Sequence, residues 1–163
     1  MSSRLRLTLS LMTLGVTIAA APLRAQTPQG TAGEHVATAA DSSGIRDAAM
    51  DYIQGWYEGN AERMQRALHP ELAKRMVRTD PRTGHSQLNT MGALTLINST
   101  KMGGGSMTPA SQRRTDFRLL DIYENAAVAR VDAGGWVDYL QLAKWNGKWV
   151  IVNVLWELRP QAP

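Results

Sequence analysis

Two polar side chains, Asp138 and Asn153, interrupt the apolar residues near the end of this 163-residue chain. If Asn146-Gly147 forms a two-residue turn, the register of the flanking strands places both on one sheet face as diagonal neighbours. A carboxylate and an amide on an apolar face must be hydrogen-bonded or must face a cavity. They therefore predict either the polar groups of a ligand site, where Asp138 could also accept a proton, or two anchors for nearby backbone amides.

His69 and Arg118 are candidates for the mouth of the same site. His69 stands directly before Pro70, after a predicted helix, and imidazole is the side chain best suited to proton transfer near neutral pH. It could equally cap the last carbonyls of that helix. Arg118 shares a predicted strand face with Asp116, and this pair forms either a rim to the pocket or a surface salt bridge.

Tyr52 and Trp56 supply flat side chains with polar tips, and both lie on the apolar stripe of the first predicted helix. Such aromatic residues belong either to the core or to the wall of a cavity. The sequence has no cysteine and only three histidines, without an H-x-H motif, so we predict no metal site. It also lacks a glycine-rich phosphate loop and a nucleotide fingerprint, so we predict no cofactor.

A long β-hairpin is the first of the elements that position these groups. It is predicted over residues 136–158 from two apolar runs around the Asn-Gly turn. Both predicted faces of the hairpin are largely apolar, so each needs a cover. Helices can cover one face. The other, with Tyr139, Val152, Val154 and Trp156, predicts a homodimer formed through the sheet.

Apolar residues recur with helical spacing over residues 45–57, after an N-cap expected among residues 41–43. Asn60 can cap a shorter second helix, which Pro70 prevents from continuing. A third helix is predicted over residues 90–101.

Strands are predicted on either side of the turn at residues 80–84, and again over residues 115–123 and 126–133 around Glu124-Asn125. Helices and strands are therefore segregated rather than alternating. This pattern predicts an α+β fold in which a curved antiparallel sheet wraps around three N-terminal helices.

The first 25 residues have the character of a secretory signal peptide, with Arg4 and Arg6 before an apolar run too short to span a membrane. We expect cleavage after Ala25, a flexible leader over residues 26–43, one domain over residues 44–158 and a tail over residues 159–163. A cysteine-free exported domain is typical of a periplasmic or secreted protein.

Removal of the signal also changes the charge of the protein. Three of the 18 basic residues lie within residues 1–25, so 15 remain against 14 acidic residues. A nearly neutral domain gives no reason to expect a nucleic-acid partner, and we expect no membrane span after processing.

The order of these elements resembles that of the nuclear transport factor 2-like superfamily, and within it the bacterial group called "putative lumazine-binding". The resemblance covers about residues 45–158. Its most specific pieces are Leu68-His69-Pro70, Ala127-Val128-Ala129, Asp138-Tyr139-Leu140 and Gly147-Lys148-Trp149. It implies a cone in which the curved sheet encloses a pocket, and two subunits that pair through their sheets.

Three functions fit this fold, because the superfamily hosts enzymes and binders alike. The first is an exported binder of a small, partly apolar organic molecule. Its expected ligand-binding residues are Tyr52, Trp56, His69, Arg118, Asp138 and Asn153. The second is an isomerase or dehydratase in which an Asp or His moves a proton. The third is an interaction module whose cone is filled.

Overall fold

Three α-helices and a six-stranded sheet make up residues 38–160, which are the part of the chain that this computed structural model describes. The predicted signal peptide and most of the predicted leader lie outside the described residues. Within residues 38–160, no helix is long and apolar enough to cross a membrane. In chain order the elements are α1 (Ala39–Glu58), α2 (Ala61–Ala67), β1 (Leu68–Thr79), β2 (Ser86–Gly92), α3 (Ala93–Lys101), β3 (Asp116–Tyr123), β4 (Ala126–Asp132), β5 (Trp136–Trp145) and β6 (Lys148–Leu158).

Helix α1 begins earlier than predicted, because Thr38 rather than a residue of 41–43 is its N-cap and accepts a hydrogen bond from the amide of Asp41. The Asp41 carboxylate accepts hydrogen bonds from the Lys144 ammonium at 2.8 Å and the Trp149 indole at 3.1 Å. The bond from Lys144 contributes most to holding the pKa of Asp41 well below its ordinary value. The start of α1 is thereby tied to the β5–β6 hairpin.

Helix α2 follows the prediction, since the Asn60 side chain accepts from the Arg63 amide and the helix ends before Pro70. The chain then enters β1 directly. Helix α3 begins at Ala93 rather than at residue 90, because residues 86–92 pair with β1 as strand β2.

The strand order is β2-β1-β6-β5-β4-β3, so β2 and β3 are the two edges of an open, curved sheet. This arrangement confirms the predicted α+β fold class, with one difference. Strand β1 runs parallel to β6, so the sheet is mixed rather than wholly antiparallel. The other four strand pairings are antiparallel.

The predicted hairpin is present, and its turn residues Asn146 and Gly147 have φ values of 48° and 79°, as a type I′ turn requires. Its register changes partway along the strands. Leu142 pairs with Ile151 but Gln141 pairs with Asn153, so Val152 is an extra residue in a β-bulge. Beyond the bulge the two faces of β6 are exchanged relative to the prediction.

The exchange moves two residues that were predicted on the outer face. Val154 is 1% exposed in the core, and Trp156 turns towards the helices. Leu155 lies on the outer face instead and is 55% exposed. Strand β3 has a second bulge, because Leu119 pairs with Ala129 but Asp121 pairs with Val128.

Candidate functional site

A cavity of about 270 Å³ lies between the helices and the inner face of the sheet. Most of its wall is apolar, and a volume of this size suits a small organic ligand. Its aromatic and polar lining residues are Tyr52, Trp56, Trp136, Trp156, Lys74 and Ser99.

A buried ion pair forms part of this wall. The Lys74 ammonium lies 2.6 Å from Oδ1 of Asp138, and the two side chains are 7% and 0% exposed. Lys74 also donates to the Tyr52 hydroxyl at 2.5 Å, and Tyr52 donates to the same carboxylate oxygen at 3.1 Å. The other oxygen of Asp138 accepts from the Trp136 indole at 2.6 Å. Both oxygens of the carboxylate are therefore engaged by protein donors.

Burial shifts the proton affinities of two groups in this cluster. It lowers the pKa of Lys74, because an ammonium loses its hydration there, although the Asp138 carboxylate opposes the shift. It also raises the pKa of Tyr52 well above the ordinary value, and the Asp138 charge adds to this effect. Tyr52 is therefore a neutral hydroxyl that can donate a hydrogen bond.

Four elements bring these side chains together. Tyr52 comes from the core-facing side of α1, and Lys74 alternates with buried Leu72 and Met76 along β1. Asp138 comes from the inner face of β5. Trp156, from β6, lies opposite Asp138 in the sheet and presents its ring 4.8 Å from the Lys74 nitrogen, which adds a cation–π contact.

Three of the six predicted site residues meet here. Tyr52 and Trp56 line the cavity, and Asp138 lies directly behind its wall, bonded to Tyr52 and Lys74. Asp138 was expected to be hydrogen-bonded or to face a cavity, and it is hydrogen-bonded, although its donors are side chains rather than the backbone amides of the anchor hypothesis. Their role in ligand binding stays a prediction.

The other three lie away from the cavity. Because of the bulge at Val152, Asn153 pairs with Gln141 and bonds to its side chain on the outer face, so it is not a diagonal neighbour of Asp138. The bulge in β3 has the same effect on Arg118. Its side chain is 65% exposed and lies 3.7 Å from Asp132, rather than pairing with Asp116 at the cavity mouth.

His69 packs its ring edge-on against Trp145, with the ring centroids 4.9 Å apart. Its Nδ1 accepts a hydrogen bond from the Glu71 amide, so it stabilises the entry into β1. It is not a cap of α2 and is not among the residues that line the cavity.

Lys74, Trp136 and Trp156 line the cavity but were not among the predicted site residues. Lys74 left a detectable signal, since it occupies an inward position in the alternating run Leu72-Ala73-Lys74-Arg75-Met76. A lysine at such a position must find a buried partner. Trp156 could not be placed without knowledge of the bulge.

Within residues 38–160, no three His, Cys, Asp or Glu side chains lie close enough together to hold a metal ion. The titratable groups at the cavity are a lysine, a tyrosine and a carboxylate.

Comparison with known proteins agrees with this architecture. A family model described as "Putative lumazine-binding" matches residues 40–157. No curated protein matches the chain.

Several solved structures share the fold. An NTF2-like protein of unknown function from Shewanella baltica OS155 is 19% identical, with a TM-score of 0.56 over 75% of this chain and 96% of that one. Another from Methylobacillus flagellatus KT is 25% identical, with a TM-score of 0.55 over 76% and 95%. A protein of unknown function with a cystatin-like fold from Nostoc punctiforme PCC 73102 is 15% identical, with a TM-score of 0.54 over 77% and 96%. The chain therefore belongs to the "Putative lumazine-binding" family of the nuclear transport factor 2-like superfamily.

Proposed function

We propose that this protein is an exported binder of a small, partly apolar organic molecule. The observation that carries the proposal is the apolar cavity of about 270 Å³ with a hydrogen-bonding cluster in its wall. An apolar pocket with a few convergent polar groups is the usual form of a small-molecule site. The family description, which concerns binding of a small ligand, supports the same function.

The walls favour a flat, aromatic ligand over a sugar or a phosphate. Trp56, Trp136 and Trp156 offer ring surfaces, and such surfaces pack well against planar molecules. Lys74 is the charged residue of the lining, and Asp138 already neutralises it. An anionic ligand would therefore enter an apolar space without an unpaired countercharge, whereas a neutral ligand would not incur this cost.

The geometry favours binding over proton-transfer catalysis by Asp138. A general base needs a free oxygen within reach of the substrate, and both oxygens of Asp138 accept bonds from protein donors. An Asp138→Asn variant separates the two functions if it folds. A binder should lose modest affinity, whereas an enzyme with this base should lose turnover by about two to four orders of magnitude.

A fluorescence titration tests the proposed function, because three tryptophans line the cavity. A neutral two-ring compound such as 2-naphthalenemethanol should change the tryptophan emission in a saturable way. A disaccharide should leave the emission unchanged. Absence of a saturable change with several aromatic probes would count against the proposal.

Export is supported by the signal-like character of residues 1–25. The mature protein is expected to begin near Gln26. The intact mass of material from its own host decides this point, and retention of residues 1–25 would overturn it.

A homodimer through the outer face of the sheet is also part of the proposal. Tyr139 and Leu155 are opposite each other there and are 43% and 55% exposed. Burying such an apolar pair in a second copy would be favourable. Light scattering should give a dimer for the unmodified protein and for a control Leu94→Lys on α3, but a monomer for Leu155→Lys. A monomeric unmodified protein at micromolar concentration would refute the dimer.

A further inference from the structure

Lys74 places a primary amine, which is a reactive functional group, in the wall of the proposed ligand cavity. Within the described residues, it is the charged side chain that lines the cavity, and its side chain is 7% exposed. Buried lysines are uncommon unless they are paired, and a primary amine in a dry pocket can act as a nucleophile.

The surroundings of the Lys74 nitrogen leave one of its three N–H bonds available. Asp138 and Tyr52 take the other two, at 2.6 and 2.5 Å. In the described part of the chain the third has no hydrogen-bond acceptor, and the nitrogen lies 4.8 Å from the centre of the Trp156 ring. A ligand that enters the cavity therefore meets this amine between aromatic surfaces.

We propose that Lys74 captures an aromatic aldehyde or ketone as a reversible Schiff base, with Asp138 as its counter-ion. This inference rests on the proposed function, since the same cavity must admit the ligand. It also gives the chemical class of that ligand, a planar molecule with a reactive carbonyl group.

The step balances with the groups present. Asp138 takes a proton from the ammonium, and the freed amine attacks the carbonyl carbon, forming the C–N bond while the oxygen gains a proton from Tyr52. Tyr52 recovers its proton from Asp138. Asp138 then takes a second proton from the nitrogen, while Tyr52 protonates the hydroxyl oxygen and recovers its own proton from Asp138. The C–O bond breaks, water leaves and the nitrogen lone pair forms the C=N bond.

The products are a protonated imine and one water molecule, so no oxidant or reductant is needed. The positive charge stays beside Asp138, and the buried pair remains neutral overall. The lowered pKa of Lys74 makes the free amine easier to form than on an exposed lysine. Apolar walls also limit the access of water, which would hydrolyse the imine.

Reductive trapping tests the inference. The whole protein is incubated with 2-naphthaldehyde and sodium cyanoborohydride, which reduces a protonated imine to a stable amine, and the modified lysine is mapped by peptide mass spectrometry. Lys74 should be labelled at least about tenfold faster than exposed Lys101 and Lys148. Labelling of the surface lysines at equal or greater rates would overturn the inference.

Variants provide a matched control. Lys74→Met should abolish the fast adduct, whereas Lys101→Met should retain it. Because Lys74→Met leaves a buried carboxylate and could fail to fold, the site mapping on the unmodified protein decides the question in that case.

A probe without a carbonyl separates this inference from the proposed function. If 2-naphthalenemethanol binds but the aldehyde does not label Lys74, the Schiff base is wrong and the binding function stands. If neither compound binds, both proposals fail.

Discussion

At the scale of single residues, the cavity wall depends on charges that compensate each other. Asp138 is fully buried, and a buried carboxylate is tolerated only when donors surround it. Lys74, Tyr52 and Trp136 provide those donors, while the carboxylate in turn compensates the Lys74 ammonium. Removal of either charge therefore leaves the other buried without a countercharge, and its full desolvation cost then destabilises the fold.

This dependence predicts a strongly non-additive pair of substitutions. Asp138→Asn should lower the free energy of unfolding by about 3–5 kcal/mol, because it leaves the Lys74 ammonium buried without a countercharge. The double variant Lys74→Met/Asp138→Asn should be more stable than Asp138→Asn alone. Urea unfolding of both single variants and the double variant measures the coupling. Simple addition of the two losses would contradict the account.

A second carboxylate predicts acid sensitivity. Arg130 donates two hydrogen bonds to Asp132, at 2.8 and 2.6 Å, and Arg159 contacts it as well. Mainly because of Arg130, the pKa of Asp132 falls from the ordinary 3.8 to about 2. The folded state thus binds fewer protons than the unfolded state between these values, and the stabilisation is lost as the pH falls from about 4 towards 2.

Asp132→Asn should therefore lower the free energy of unfolding at pH 7 by about 1–2 kcal/mol and flatten its dependence on pH between about 2 and 4. Thermal unfolding over a pH series measures both effects. Asp47→Asn, at an exposed position of α1, serves as the control and should resemble the unmodified protein. If the free energy of unfolding of Asp132→Asn depended on pH between about 2 and 4 as steeply as that of the unmodified protein, the arginines would not be what lowers the pKa of this carboxylate.

At the scale of secondary structure, two β-bulges decide which predicted site residues reach the cavity. Each inserts one residue, Leu120 in β3 and Val152 in β6, and side chains beyond it change faces. Asp138, which pairs with β6 beyond the bulge, therefore lies opposite Trp156. Arg118 and Asn153 move to the outer face for the same reason.

The β6 bulge predicts that substitutions at two neighbouring positions differ strongly in their effect on stability. Val154→Asp should lower the free energy of unfolding by more than about 3 kcal/mol, because it buries an unpaired carboxylate at a position that is 1% exposed. Asn153→Asp should change it by less than about 1 kcal/mol, since Arg75 lies nearby on the outer face. Denaturant unfolding distinguishes them. The reverse order of stabilities would mean that the strand has no bulge.

These elements also show what a sequence can predict. The Asn146-Gly147 turn and the Asn60 cap have local signals, so the hairpin and α2 were predicted correctly. A bulge among β-branched and aliphatic residues has no comparable signal, because its extra residue looks like any other strand residue. Register errors therefore began at Leu120 and Val152. The parallel pairing of β1 with β6 depends on contacts distant in sequence and was missed as well.

At the scale of the whole molecule, the curved sheet and the helices leave a space that their side chains do not fill. The core on either side is closely packed by residues such as Ile45, Leu140 and Val154. Trp56, Trp136 and Trp156 instead border the cavity. This cavity supports the proposed binding function over an interaction module, for which a filled cone was expected.

Ser99 and Asn98 allow this space to be tested with matched substitutions on α3. Ser99 lines the cavity, whereas Asn98 is exposed beside it. Ser99→Phe should place a ring in the ligand space, and Asn98→Phe should add the same ring to the surface.

The most direct test of the binding function is native mass spectrometry of the unmodified, Ser99→Phe and Asn98→Phe proteins purified from their own host. We expect the unmodified and Asn98→Phe proteins to carry the added mass of one small organic molecule, and folded Ser99→Phe to lack it. An unmodified protein without such a mass, or the same adduct on Ser99→Phe, would contradict binding in this cavity.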